Sequence, residues 1–137
     1  MTLVERLLEL RTHLDHLRTI RPEIGGPEDL EGDISLRNDA LHSLQTVCQV
    51  VIDIAGELSA RAGLPFQDYT EAVRNLARAG PFPADIVRDL QSLPGFRNIV
   101  IHEYVGLDME RVIQALDGLD PVERFANLLA DHLAESE

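Results

Sequence analysis

Gly95-Phe96-Arg97-Asn98-Ile99-Val100-Ile101-His102-Glu103-Tyr104-Val105-Gly106 puts an arginine, a histidine and a tyrosine within eight residues, among branched apolar residues and between glycines. At about 100° per residue, Phe96, Ile99 and Val100 gather on one side, with Glu103 among them. Arg97, Asn98, Ile101, His102, Tyr104 and Val105 share the opposite side, an arc about 160° wide. The period is helical, and strand-like alternation persists nowhere in the chain. The expected fold class is all-α: an antiparallel bundle of four main helices with shorter accessory helices, in one domain spanning residues 1–137. Ile101 and Val105 lie in the middle of the polar arc, where a solvated face has no need of them. A second copy of the protein is the simplest cover, so a homodimer is expected.

Working outward, the residues on either side supply starts and stops. Pro94-Gly95 should break or kink whatever precedes, so the motif helix is expected to begin afresh at Gly95. Upstream, Pro83 suits the first position of a helix with the stripe Ile86, Val87, Leu90 and Leu93. Asp68 with Glu71 caps a short helix closing at Gly80. A long helix runs from somewhere between Leu30 and Ser35 to about Ala62, burying Leu41, Leu44, Cys48, Val51, Ile52, Ala55 and Leu58 and stopping at Gly63. The first helix starts at a Thr2/Glu5 capping box, carries Leu3, Leu7, Leu10, Leu14 and Leu17 at steps of three and four, and ends before Arg21-Pro22. Residues 22–27 read as a loop. Downstream, Asp108 is an N-cap with Leu107 and Val112 as a hydrophobic staple, and Gly118 ends that helix. Asp120-Pro121-Val122-Glu123 opens the last one with cap, N1 proline and N3 glutamate.

Composition narrows the function classes. A chain of 137 residues with 45% hydrophobic and only 4% aromatic content is large enough for one aliphatic core. No apolar run reaches spanning length and no basic-then-apolar leader opens the sequence, so a cytoplasmic protein without membrane contact is expected. The single cysteine, Cys48, lies on an apolar stripe and reads as packing. The net charge is −12 and all twelve basic residues are arginine, which argues against non-specific nucleic-acid binding. The charge is uneven: residues 108–137 hold eight acids and two arginines, whereas residues 72–102 hold four arginines and two acids. The one locally basic segment leads into the motif.

Asn98 and His102 stand four apart, so Asn98 is placed to hydrogen-bond and orient the imidazole. Arg97 and His102 lie about 140° apart on a regular helix and would flank a groove without touching. Arg97 and Tyr104 lie nearly in line. An arginine five residues before a histidine is alone a weak signal. The string Arg97-Asn98-x-x-x-His102-x-Tyr104, preceded by Gly95-Phe96 and followed by Val105-Gly106-Leu107-Asp108, is far more specific. It closely resembles the signature of HepT-type HEPN (higher eukaryotes and prokaryotes nucleotide-binding) toxins. Residues 44–55 and 69–80 resemble the same family, and the likeness covers roughly residues 30 to 117. Proline before the Gly-Phe-Arg-Asn string departs from the family pattern.

The resemblance implies a metal-independent endoribonuclease toxin of a toxin–antitoxin pair, with tRNA as its RNA substrate and no cofactor. Arg97 would stabilise phosphate and His102 would act as general acid and base, leaving a 2′,3′-cyclic phosphate and a 5′-hydroxyl. It further implies a minimal nucleotidyltransferase antitoxin that attaches AMP to Tyr104. Asp53, between Ile52 and Ile54, is a candidate acceptor for Arg97 or His102, or else a solvated acid beside Glu57. Without the resemblance, Arg97 reads as paired with an acid, His102 as a satisfied core histidine and Tyr104 as an amphipathic ring at a groove. His13 with His16, and Asp39 with His42, have metal-ligand spacing, but nothing completes either site, so no metal is expected. The competing function is a non-catalytic helical module that binds a nucleotide or a partner such as the nucleotidyltransferase.

Overall fold

The structure, a computed structural model, describes residues 1–135. Among them are nine α-helices and no strand: α1 (Leu3–Ile20), α2 (Pro27–Glu31), α3 (Ile34–Arg61), α4 (Tyr69–Arg74), α5 (Leu76–Ala79), α6 (Ala84–Leu90), α7 (Leu93–His102), α8 (Met109–Asp117) and α9 (Asp120–Glu135). Single 3₁₀ turns occupy Arg21–Glu23 and Tyr104–Gly106.

Side-chain pairs give the helix directions. Arg6 meets Asp53, His13 meets Ser43 and His16 meets Asp39, so α1 and α3 run antiparallel. Arg11 meets Asn127 and Arg18 meets Glu123, so α1 and α9 do too. Arg97 meets Gln49 and Tyr104 meets Asn38, which sets the motif segment antiparallel to α3. α3 is thus the central helix, flanked by α1, α7 and the short α4 and α5. The leucine stripe of α1 is buried throughout, as is the expected face of α3. Val47, Val50 and Ile54 are buried as well, because α3 has neighbours on several sides rather than one.

The starts follow local chemistry. Glu5 N–H donates to Thr2 Oγ1 and Thr2 N–H to Glu5 Oε2, completing the capping box. Asp33 accepts from Leu36 N–H and fixes the start of α3, which composition alone left open over six residues. Leu30, expected near that start, instead belongs to the separate helix α2, which Gly32 ends and which packs on α8. Residues 22–27 are accordingly a 3₁₀ turn, a short link and the first residue of α2 rather than a plain loop. Gly63 closes α3 at φ +71°, where only glycine is unstrained. Asp68 caps α4 through Glu71 N–H, but the helix is interrupted at Asn75 before α5 ends at Gly80. A Cβ on Gly80 would lie 2.6 Å from the Phe82 ring, which is why that position is bare. Pro83 is the N-cap of α6, one residue before its expected place, and α9 starts at Asp120 itself. Asp108 caps α8 as expected.

Two departures shape the motif. The break before it falls at Gln91–Ser92, not at Gly95; α7 starts at Leu93 with Pro94 in its first turn, where a missing N–H costs nothing. The helix then ends at His102. Glu103 takes φ −123°, ψ 27°, and Tyr104–Gly106 form the 3₁₀ turn. Glu103, which a continuous wheel puts among apolar residues, is therefore exposed.

Cys48 is buried on the side of α3 that faces α7, and loss of solvation pushes its thiol up to about 12, with the nearby Arg97 charge opposing. In the unfolded chain a thiol ionises near pH 8.5. The raised folded value therefore gives stability that is complete below that pH and drains away as pH rises toward 12. At pH 8, a disulfide-exchange reagent should leave the native thiol untouched and label it stoichiometrically in denaturant. Rapid labelling of native protein would contradict this burial.

Candidate active site

The motif side chains sit at two levels of the α3/α7 contact. Arg97, half-buried, donates from Nε to Gln49 Oε1 at 2.5 Å and from Nη1 to Asn98 Oδ1 at 2.9 Å. Its guanidinium carbon lies 5.7 Å from the centre of the exposed Tyr69 ring. Gln49 Nε2 donates in turn to Asp53 Oδ1 at 2.8 Å, and Arg6 Nη1 donates to Asp53 Oδ2 at 3.1 Å. No carboxylate pairs with Arg97 among the described residues, and both of its acceptors are neutral amides. The neighbouring basic segment behaves similarly, since Arg74 rests on the Gln91 amide and, among the described residues, only Arg88 of that segment has an acid, Asp89, at 3.8 Å.

His102 is exposed at the C-terminal end of α7 and makes no side-chain hydrogen bond among the described residues. It lines an open depression of about 620 Å³ with Ile101, Tyr104, Val105 and Arg111; Arg97 is not part of that wall. Tyr104 donates its hydroxyl to Asn38 Oδ1, and Arg37 lies 5.8 Å over its ring. Gln49 and Asn38 are 11 residues apart on α3, so the Arg97 and Tyr104 anchor points are separated by about 16 Å along that helix. Val105 is 98% exposed and Ile101 38% exposed, an apolar pair at the lip of the depression.

Several expectations change in detail. Asn98 does not hold His102; its side-chain oxygen accepts from the Arg97 guanidinium, whose long side chain reaches across to it. Asp53 touches neither Arg97 nor His102 and reaches Arg97 only through Gln49. Among the described residues Arg97 has no acid partner and His102 is exposed, so the arrangement of an acid-paired arginine and a core histidine is not the one present. Gln49, Asn38, Arg37, Tyr69 and Arg6 were not singled out from sequence. Gln49-x-x-x-Asp53 on one helix face was the signal available for the first.

His13, His16, Asp39 and His42 gather between α1 and α3. His13 Nδ1 lies 3.0 Å from Ser43 Oγ, His16 Nε2 lies 2.8 Å from Asp39 Oδ1, and the His13 and His42 rings meet edge-on at 5.9 Å. Burial, then the neighbouring His42, pushes the His13 imidazole below its usual value. No group of three or more potential ligands among the described residues is arranged to hold a metal. None of their helices is long and apolar enough to cross a membrane.

The profile of the ribonuclease HepT-like family matches residues 10–129. The chain belongs to the HepT-like family. A relative, the mRNA nuclease HepT of Shewanella oneidensis, is 24% identical over 116 residues, 82% of this chain and 86% of that one. The fold is that of solved HEPN toxins. A tri-AMPylated HEPN toxin of Shewanella oneidensis in complex with MNT antitoxin superposes with a TM-score of 0.79 at 20% identity, over 96% of this chain and 99% of that one. A toxin–antitoxin structure with AMP-PNP gives 0.78 at 19% identity, over 94% of this chain and 99% of that one. In this HepT-like chain the Arg97-x-x-x-x-His102-x-Tyr104 string lies inside the matched residues.

Proposed function

We propose that this protein is an endoribonuclease toxin that cleaves RNA without a metal, in a site assembled from two copies of the chain. The observation that carries the reading is that, among the described residues, one helix carries an Arg97 guanidinium with no acid partner and an exposed His102 imidazole with no side-chain hydrogen bond, beside the bare apolar lip of Ile101 and Val105. A second copy docked on that lip buries Ile101 and Val105 and faces one motif with the other. Two imidazoles then become available, one to take the ribose 2′-hydroxyl proton and one to protonate the leaving 5′-oxygen. The guanidinium holds the phosphorane oxygens. The products are a 2′,3′-cyclic phosphate and a 5′-hydroxyl.

Tyr104 is the residue we assign to adenylylation by a minimal nucleotidyltransferase antitoxin, as the names of the structural relatives encourage. Within one chain AMP there would not sit on Arg97, whose anchor is about 16 Å away along α3. It would fill the His102 depression, whose wall Tyr104 forms, and so block the acid–base group.

The deciding experiment incubates purified protein with labelled tRNA, the substrate we propose, and with an mRNA, the class in the name of the Shewanella oneidensis relative. Cleavage that persists in EDTA and leaves cyclic-phosphate ends supports the enzyme. Tight partner or nucleotide binding with no cleavage of either RNA, by protein that is unmodified by mass, would instead establish the non-catalytic module that the −12 charge favours. Incubation with the nucleotidyltransferase and ATP should add one or more AMP masses to the peptide containing Tyr104. An unchanged peptide would remove that assignment.

A further inference from the structure

We propose that Gln49 is the positioning residue for Arg97, and that it works by insulating the guanidinium from the acid behind it. The inference rests on the reading of Arg97 as the phosphate-holding group. Three helices meet here in one chain of contacts: Arg97 of α7 donates to Gln49 Oε1, Gln49 Nε2 donates to Asp53 of the same helix α3, and Asp53 also accepts from Arg6 of α1.

The polarity of that chain is forced. A guanidinium can only donate and a carboxylate can only accept. Turning the Gln49 amide over would set its NH₂ against the Arg97 N–H and its oxygen against the Asp53 carboxylate, losing both bonds at once. The amide therefore has one orientation, and it fixes the Nε edge of Arg97. Asn98 takes one proton of Nη1, and the Tyr69 ring lies over the face. Nη2 has no acceptor among the described residues and is left for a ligand.

The charges are segregated with the same economy. Both acceptors of Arg97 are neutral amides, whereas Asp53 is matched by Arg6. Had residue 49 been an acid, the half-buried guanidinium would have met its counter-charge inside the protein, in surroundings where such a pair attracts strongly. Less of its field would then reach a phosphate. The strut could have been built with a carboxylate in front and an amide behind; this chain has them the other way round.

That alternative is the test. The double swap Gln49→Glu with Asp53→Asn keeps one acid and one amide at the same spacing and can keep the Arg97 contact, but moves the negative charge next to Arg97. Gln49→Glu alone is the second variant, and Arg97→Ala is made alongside. Cleavage is measured on each, and binding of an unstructured labelled RNA is measured in the His102→Ala background across a salt series. In the swapped protein Arg6 loses its counter-charge and keeps only an amide oxygen at position 53, so the protein should melt somewhat below the wild type. Still folded at the assay temperature, it should cleave about 10²-fold more slowly, as for loss of one transition-state donor. Its log-affinity against log-salt slope should flatten by about 0.7, the value of one lost phosphate contact on a single strand. If it does not fold, the single Gln49→Glu variant is read by the same slope. Wild-type cleavage and slope in the folded swap, or in the single variant, with Arg97→Ala inactive, would overturn the role given to Gln49. An active Arg97→Ala would overturn the reading of the site beneath it.

Discussion

His102→Ala is expected to lower RNA cleavage by about 10²- to 10⁴-fold, the usual contribution of a positioned acid–base group, with thermal melting unchanged. The two halves of the result follow from one observation. The imidazole is exposed at the end of α7 and bonded to nothing among the described residues, so its removal leaves no cavity and no orphaned partner. The same variant tests the two-copy site. If each site needs an imidazole from both copies, mixing equal amounts of wild type and variant with subunit exchange leaves only all-wild-type dimers active. At equal total protein, activity then falls to about a quarter of the unmixed wild type rather than a half, because random exchange between copies of a symmetric dimer leaves about a quarter of the dimers all wild type. A linear fall with the fraction of variant would show that one chain suffices. Introducing charge at the lip, as in Val105→Asp, should dissociate the dimer and abolish cleavage together.

Phe125→Ala is expected to cost about 3–5 kcal/mol of folding stability and to lower the melting temperature by about 10–20 °C. Phe125 is fully buried in α9, and its ring stacks at 4.8 Å on Phe82, the residue that Gly80 makes room for. The ring joins α9 to the turn before α6, so the cavity would open where two elements have no backbone continuity to close it. Against a typical total of about 5–15 kcal/mol, such a loss is large. Denaturant midpoints would measure it. A shift under about 1 kcal/mol would mean that the Phe82 side collapses into the space.

Much of this could be read before any coordinates. The α1 stripe, the buried face of α3, the caps at Thr2, Asp68 and Asp108 and the stop at Gly63 are relations within one turn of chain, and each is present. Where the reading slipped, two local signals competed. Pro94-Gly95 looked like an ending, but proline is equally at home in the first turn of a helix, and α7 uses it so. The wheel drawn through Tyr104 ran past the end of the helix at His102, and that ending exposes Glu103, which the wheel put among apolar residues.

The sequence alone determined that the chain is helical, which faces go inward, and that Arg97, His102 and Tyr104 fall within one short stretch, because periodicity, capping and motif spacing depend on residues a few positions apart. Only the tertiary structure decided that Arg97 rests on Gln49 rather than on Asp53, that Asn98 turns to the arginine rather than to His102, and that Tyr104 is tied to Asn38. Those partners depend on the axial register and rotation with which α7 packs along α3. That register is set by the whole interlocked core rather than by any local stretch of chain.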